Sequence, residues 1–304
     1  MYLDKPPRVI DTRVFSRMPE KFRRKGERTA WADANKAGEP TDCFLEGPGF
    51  DAGGNLYLVD IPFGRIFRVS PAGEWTLIVE YEGWPNGLKI HRDGRILVAD
   101  YMHGLMQLDP RDGKIRPLLR SRNSESFKGC NDLCIASNGD IYFTDQGQTG
   151  LHDPTGRVYR LAADGRLDRL LGNGPSPNGL VLDRDERVLF VAMTRDNGVW
   201  RVPLTRDGAT AKVGRFCAMF GTSGPDGLAM DEAGRLYVAH ASLGHVFVFA
   251  PDGECVARIK SCTGKTCTNL AFGGEDRRKL FITESETGSV LVADLDVAGI
   301  ALPR

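Results

Sequence analysis

The sequence predicts an all-β fold, a six-bladed β-propeller with four antiparallel strands per blade and the ring closed by the N-terminal strand. Three observations predict it. A short polar phrase returns six times at nearly even spacing, short apolar runs bounded by Gly- and Asp-rich turns fill the intervals, and no interval shows a 3.6-residue apolar period. The phrase reads Leu45-Glu46-Gly47-Pro48, Pro85-Asn86-Gly87-Leu88, Cys130-Asn131-Asp132-Leu133, Pro177-Asn178-Gly179-Leu180, Pro225-Asp226-Gly227-Leu228 and Thr268-Asn269-Leu270. Its polar residues stand 40 to 48 positions apart, the period of a four-stranded propeller blade.

Residues 1–42 lie outside the repeat and read as an N-terminal arm; residues 43–304 are the propeller, and arm and propeller together make one domain. Within the arm, Val9-Ile10-Asp11-Thr12-Arg13-Val14-Phe15 alternates and is β-branched, as a strand would be. The stretch from Ser16 to Glu39 carries Lys21, Arg23, Arg24, Lys25 and Arg28, then Trp31, and reads as a solvated arm or short helix lying over the body.

The blades follow one plan. In the first, Gly49-Phe50-Asp51 leads to the turn Ala52-Gly53-Gly54-Asn55, the strand Leu56 to Asp60 and the strand Arg65 to Val69. The same turn and strand recur at Asp93-Gly94 with Ile96 to Asp100, at Asn138-Gly139 with Ile141 to Asp145, and at Ala233-Gly234 with Leu236 to His240. Blades four and six carry Val188 to Ala192 and Leu280 to Glu284 at that place. The sixth repeat ends after three clear strands, the last being Ser289 to Leu295, so the strand Val9 to Phe15 is expected to supply the fourth and remove the open edge.

Composition narrows the function. Lys plus Arg and Asp plus Glu both number 40, so no field favours nucleic acid or an anionic membrane, and a neutral small molecule fits better. The 36 glycines, about 12% against an average near 7%, supply the turns. No apolar leader opens the chain and no run reaches the ~18 residues of a membrane span, which predicts a soluble, unexported, cytoplasmic protein. Seven cysteines without a Cys-x-x-Cys pair indicate neither a disulfide framework nor a thiolate zinc site. Cys130 and Cys134 share strand parity and are expected in a core.

In a propeller the first strand of each blade lines the central channel, so residues just ahead of it converge on the axis. A lone Asn-Gly is most simply a hairpin turn, but that explains Asn-Asp and Asn-Leu poorly, and it does not explain why Glu46 and Asp226 stand at the same register while the true hairpin turns lie ten residues further on. Glu46, Asn86, Asn131, Asn178, Asp226 and Asn269 then form an all-oxygen cluster suited to a hard divalent cation such as Ca²⁺, Mg²⁺ or Mn²⁺. Two carboxylates on one axis repel unless a cation lies between them. The loops after the second strands should shape the mouth, the longest running from Asp145 to Pro154. Gln146 in it, with Trp84, Tyr101, Asn86 and Asn269, is a candidate substrate contact; His103 and His240 fall off the axial register and read as structural. There is no Gly-x-Ser-x-Gly nucleophile elbow.

Glu-Gly-Pro, Asn-Asp-Leu, Pro-Asn-Gly-Leu and Pro-Asp-Gly-Leu in this order and spacing resemble the SMP-30/gluconolactonase family of six-bladed propellers, over roughly residues 43–295. The resemblance implies a metal-dependent hydrolase that opens a sugar aldonolactone or related small lactone. It implies Glu46, Asn178 and Asp226 as metal ligands, Asn131 as a fourth ligand or substrate contact, and Asp226 as general base. The metal implied is one divalent ion, Ca²⁺ first, with Zn, Mg, Mn or Fe as alternatives. Animal-type sugar lactonases of the family have an Arg two residues before the Asn that Asn131 matches; this chain has Gly129. The resemblance therefore implies lactone opening more firmly than an aldonolactone. A hydrolase of phosphotriesters or non-sugar esters with the same centre, and a non-catalytic binding propeller, remain as other readings.

Overall fold

The computed structural model describes residues 5–301. Six sheets form the blades, and a two-stranded ribbon, Ser121–Arg122 with Glu125–Ser126, lies between blades two and three in the chain. Blade one is Leu45–Phe50, Leu56–Asp60, Arg65–Val69 and Trp75–Glu80. Blade two is Pro85–Ile90, Ile96–Asp100, Gly104–Asp109 and Lys114–Leu119. Blade three is Cys130–Ile135, Ile141–Asp145, Gly156–Leu161 and Leu167–Gly174. Blade four is Pro177–Leu182, Val188–Met193, Gly198–Pro203 and Gly214–Ala218. Blade five contains Pro225–Met230, Leu236–His240, His245–Phe249 and Cys255–Lys260, and blade six Cys267–Gly273, Lys279–Glu284 and Ser289–Asp294. The first strands touch in order around the axis, and that of blade six touches that of blade one. The fold is the expected six-bladed propeller.

Burial follows position in the blade. Second strands Leu56–Asp60, Ile96–Asp100 and Ile141–Asp145 are buried at every position, because neighbouring blades cover both faces, whereas the outermost strand Lys114–Leu119 is largely exposed. The core is accordingly divided into six apolar clusters, one between each pair of adjacent blades.

The N-terminal strand closes the ring, but not as one strand. It breaks at Thr12: Arg13–Arg17 pairs antiparallel with Ser289–Asp294 as the fourth strand of blade six, while Arg8–Asp11 pairs parallel with Cys255–Lys260 as a fifth strand on blade five. The buried Thr12 is the pivot; its Oγ1 donates to Lys260 O at 2.9 Å and accepts from the Cys262 N–H at 3.0 Å. The closing segment thus staples two blades rather than one.

Of the two forms expected for the basic arm, a solvated arm or a short helix lying over the body, the structure has the second, and part of it is buried. Its helix Ala30–Asn35 is capped by Thr29, whose hydroxyl accepts from the Ala32 N–H at 3.1 Å. Trp31 is buried, with its ring 4.8 Å from that of Phe44, in the cluster between blades one and two. Arg23 bonds Asp42 Oδ2 at 2.8 Å and Thr287 O at 2.5 Å, and Arg65 donates to Phe22 O at 2.7 Å. The arm's positive charge is used in part as a clamp across blades six and one.

Cys130 and Cys134 are buried as expected, but in different clusters. A register shift between Cys130 and Leu133 sets three steps on this strand against two on its partner, which reverses the parity.

Candidate active site

That irregularity is general and builds the site. All six first strands shift register at the polar phrase, at Glu46/Gly49, Pro85/Gly87, Cys130/Leu133, Pro177/Leu180, Pro225/Leu228 and Cys267/Leu270. A bulge re-aims the side chains it carries, here towards the axis. Hydroxyls fix the neighbouring strands in register: Thr144 Oγ1 donates to Asn178 O at 2.9 Å, Thr194 Oγ1 to Pro225 O at 2.8 Å and Thr268 Oγ1 to Leu45 O at 2.8 Å.

The register corrects the place given to Asn269. Cys267 pairs with Glu284 and Leu270 with Ile282, just as Pro225 pairs with His240 and Leu228 with Val238. Thr268 therefore matches Asp226, and Asn269 takes the place filled by glycine at Gly47, Gly87, Gly179 and Gly227. Blade six lacks that glycine, so its asparagine was matched one position out. Only one other blade departs from glycine there: blade three has Asp132. The two meet at the axis, Asn269 Nδ2 donating to Asp132 Oδ2 at 3.2 Å. They leave no room for a further side chain, since a Cβ on Gly87 would lie 2.5 Å from Asp132 Cα and one on Gly227 would lie 2.6 Å from Asn269 Cα.

Around them the predicted set assembles. Glu46, Asn131, Asn178 and Asp226 are all buried; Asn86 is half-buried at the start of its strand. Glu46 Oε2 accepts from Asn269 Nδ2 at 2.8 Å and from the Gly47 N–H at 2.7 Å. The Asn178 side chain hydrogen-bonds the Asp226 carboxylate. Asn131 Nδ2 donates to Gln146 Oε1 at 2.9 Å, and Gln146 Nε2 donates to Ser176 Oγ at 2.9 Å. Lys89 Nζ reaches Asp132 Oδ1 at 3.5 Å.

Electrostatics marks the cluster. Burial, then the charge of Asp132, pushes the Asp226 carboxyl up to about 8, against the opposing pull of the Asn178 hydrogen bond and of Lys36. Burial, then Asp226 and Asp132, raises Glu46 well above the usual carboxylate range. Both shifts have the same origin, negative charge confined away from water. Among the described residues, no three His, Cys, Asp or Glu side chains form a cation cage by themselves. The set that fits a hard divalent cation is mixed: two carboxylates, Glu46 and Asp226, which repel in its absence, and the amide oxygens of Asn178 and Asn131.

The two aromatic residues expected at the wall pack together. Trp84 and Tyr101 lie with ring centroids 5.6 Å apart, and Tyr101 Oη accepts from Gln148 Nε2 at 3.1 Å. Gly129 sits beneath Tyr101: a Cβ there would lie 2.5 Å from the ring's Cζ, so this ring occupies the space that a larger residue at 129 would need. His103 and His240 brace loops, His103 Nε2 against Glu82 O at 2.7 Å and His240 Nε2 against Phe220 O at 2.8 Å.

Sequence reasoning missed Asp132, Ser176 and Lys36. Asp132 had a signal, an acid where most repeats have glycine. Ser176 had none; it adopts a left-handed backbone, φ 64°, just ahead of Pro177. Lys36 is brought by the arm, whose last helical residue Asn35 accepts from Gln148 Nε2 at 3.4 Å.

Among the described residues no helix is long and apolar enough to cross a membrane. Residues 44–286 match the family described as SMP-30/Gluconolactonase/LRE-like region. A gluconolactonase of Zymomonas mobilis is 32% identical over 253 residues, covering 77% of this chain and 68% of that one. Lactonase drp35 of Staphylococcus aureus is 31% identical over 241 residues, covering 75% and 72%. The structure of a calcium-binding regucalcin from Agrobacterium tumefaciens superposes with a TM-score of 0.77 at 22% identity, over 98% of this chain and 99% of that one, a likeness of fold. The chain belongs to the SMP-30/gluconolactonase/LRE-like family.

Proposed function

We propose that this protein hydrolyses a lactone at the axial mouth, with one divalent cation, Ca²⁺ first, held by Glu46, Asn178, Asp226 and Asn131. The observation that carries the reading is the pair of buried carboxylates, Glu46 and Asp226, both raised by burial and then by neighbouring carboxylate charge, Asp132 acting on both, and flanked by oriented amides. The relatives named gluconolactonase and lactonase support the reaction class. A bound cation would polarise the lactone carbonyl and make water more acidic.

The chain's own groups do the rest. A bound cation beside Asp226 would lower its proton affinity and leave the carboxylate able to accept the proton of the attacking water. The water oxygen bonds to the acyl carbon, the ring C–O bond breaks, and the proton passes to the departing ring oxygen, giving a hydroxy acid. Gln146 holds one amide N–H of Asn131, which leaves the Asn131 carbonyl as the group that would meet a cation. Asn269 holds Glu46 in place. Trp84, Tyr101, Gln146 and Asn86 contact the substrate ring, with Asn269 below. Seven free cysteines fit the reducing cytoplasm as the protein's compartment.

The test is a panel of lactones, esters and phosphotriesters assayed with Ca²⁺, Mg²⁺, Mn²⁺ and Zn²⁺, with and without chelator. Lactone turnover abolished by chelator supports the reading. Turnover of phosphotriesters or simple esters alone would move the same centre to another hydrolase, and no turnover at all would leave a binding propeller.

A further inference from the structure

Ser176 stands in a backbone conformation that its sequence opposes. It is buried, its φ is 64°, and Pro177 follows it. A left-handed backbone is strained for a residue with a side chain, and a following proline pushes a residue towards extended backbone. Glycine would take this conformation freely, and glycine does stand at the same place, one residue ahead of the first strand, in blades three and five, as Gly129 and Gly224. What serine adds is a hydroxyl. Among the described residues its Oγ has one partner, the Gln146 amide, whose Nε2 donates to it at 2.9 Å. Strain kept where glycine would relieve it points to a side chain with a function.

Gln146 is pinned by backbone and side chain alike. Its N–H donates to Gly129 O at 2.8 Å and its carbonyl accepts from Thr149 Oγ1 at 2.6 Å. The same Thr149 Oγ1 accepts from the Ser176 N–H at 3.1 Å, so one buried hydroxyl ties the long loop of blade three to the entry of blade four. Besides Ser176, the Gln146 side chain meets Asn131, whose Nδ2 donates to Gln146 Oε1 at 2.9 Å. A carboxamide donates only through nitrogen and accepts only through oxygen. With the Asn131 nitrogen taken by Gln146, its Oδ1 is left over, and among the described residues nothing donates to it. The reverse order, Ser176 to the Gln146 oxygen and the Gln146 nitrogen to the Asn131 oxygen, would consume the one atom of Asn131 that can meet a cation.

We propose that Ser176 is a positioning residue of the axial centre: through Gln146 it holds the Asn131 carboxamide with its nitrogen engaged and its oxygen free for a divalent cation. This rests on the reading of the axial cluster as a cation-dependent centre and adds a residue that acts on it through two others. Blade four then serves the centre twice, directly through Asn178 and indirectly through Ser176 two residues earlier. An outer partner of this kind fixes the orientation of a ligand and so sets metal affinity.

Calorimetry of Ca²⁺ binding to the full chain, stripped with chelator and exchanged into metal-free buffer, tests this without a substrate. Ser176→Gly deletes the hydroxyl and relieves the backbone; Ser176→Ala deletes the hydroxyl and keeps the strain. Both are expected to weaken Ca²⁺ by the same factor, ~10- to 100-fold, while the alanine variant melts lower than the glycine variant. Affinity then follows the hydroxyl and the melt follows the backbone. Gln146→Met should weaken Ca²⁺ to a similar degree, and Ser176→Gly with Gln146→Met together no further, because the two residues act as one chain. Unchanged affinity in Ser176→Gly, affinity that tracks the melt across the two Ser176 variants, or losses that add in the double variant each overturn the proposal. If the unaltered protein binds none of Ca²⁺, Mg²⁺, Mn²⁺ and Zn²⁺, the cation reading itself fails, and the positioning role with it.

Discussion

Asn269 Nδ2 lies 2.8 Å from Glu46 Oε2, although 223 residues separate them. This contact spans the junction where the last blade meets the first, and the same amide nitrogen reaches Asp132 across the axis at 3.2 Å. One side chain therefore supplies a donor to two of three buried carboxylates. Asn269→Ala should leave both one donor short, at a cost of ~1–3 kcal/mol. The melting temperature should fall by several degrees and Ca²⁺ affinity with it. An unchanged melt would mean that water replaces the amide at no cost.

The raised carboxyls make the cation-free protein sensitive to pH. Asp226 at about 8 in the folded state, against the ordinary 3.8 of an aspartate, holds its proton more tightly when folded. Its contribution to stability is therefore full below about pH 4 and is lost as pH rises through 8. Melts of chelated protein should fall between pH 5 and 8, and the gain on adding Ca²⁺ should be larger at pH 8 than at pH 5. A chelated protein with a flat profile would show that burial and Asp132 do not hold the proton on Asp226 as described.

Asp226→Asn separates chemistry from folding. It removes the proton acceptor, so kcat/KM for the lactone should fall ~10²- to 10⁴-fold. It also removes a buried charge, so the chelated variant at pH 8 should melt no lower than the parent. Retained turnover would exclude Asp226 as the base.

Gly87 faces Asp132 with no space for a methyl group, the obstacle including backbone at 2.5 Å from its Cβ position. Gly87→Ala should displace the first strand of blade two or blade three, costing ~1–3 kcal/mol as an overpacked core does. Weakened Ca²⁺ binding in calorimetry should accompany the lower melt. A normal melt with normal affinity would show that the axis is more accommodating than this spacing implies.

The arm should behave as part of the body. Arg23→Ala removes the bonds to Asp42 and Thr287 O and should speed proteolysis between residues 20 and 42 while the propeller core survives. A cleavage pattern unchanged from the parent would mean that Trp31 alone holds the arm.

The sequence by itself determined the blade number, the turn and strand order, and five of the six axial places, because hydrogen-bonded turns and apolar runs are local and repeat with the blade. Its one slip at the axis came from the same source: without a glycine after Thr268, blade six offered Asn269 as the match, and only strand pairing shows which residue faces which. Three features belong to the tertiary structure alone. The break at Thr12 depends on two blades lying side by side to receive the segment. The nearness of Asp132 to Glu46 and Asp226 depends on closing the ring, which brings residues from blades one, three and five to one point. The place of Lys36, which follows the arm's helix, depends on where the arm docks, a matter of Trp31 burial and the Arg23 clamp that no repeat encodes. Local physics writes the blades into the chain, and long-range charge and packing, felt only after the ring is closed, turn six polar residues into a site.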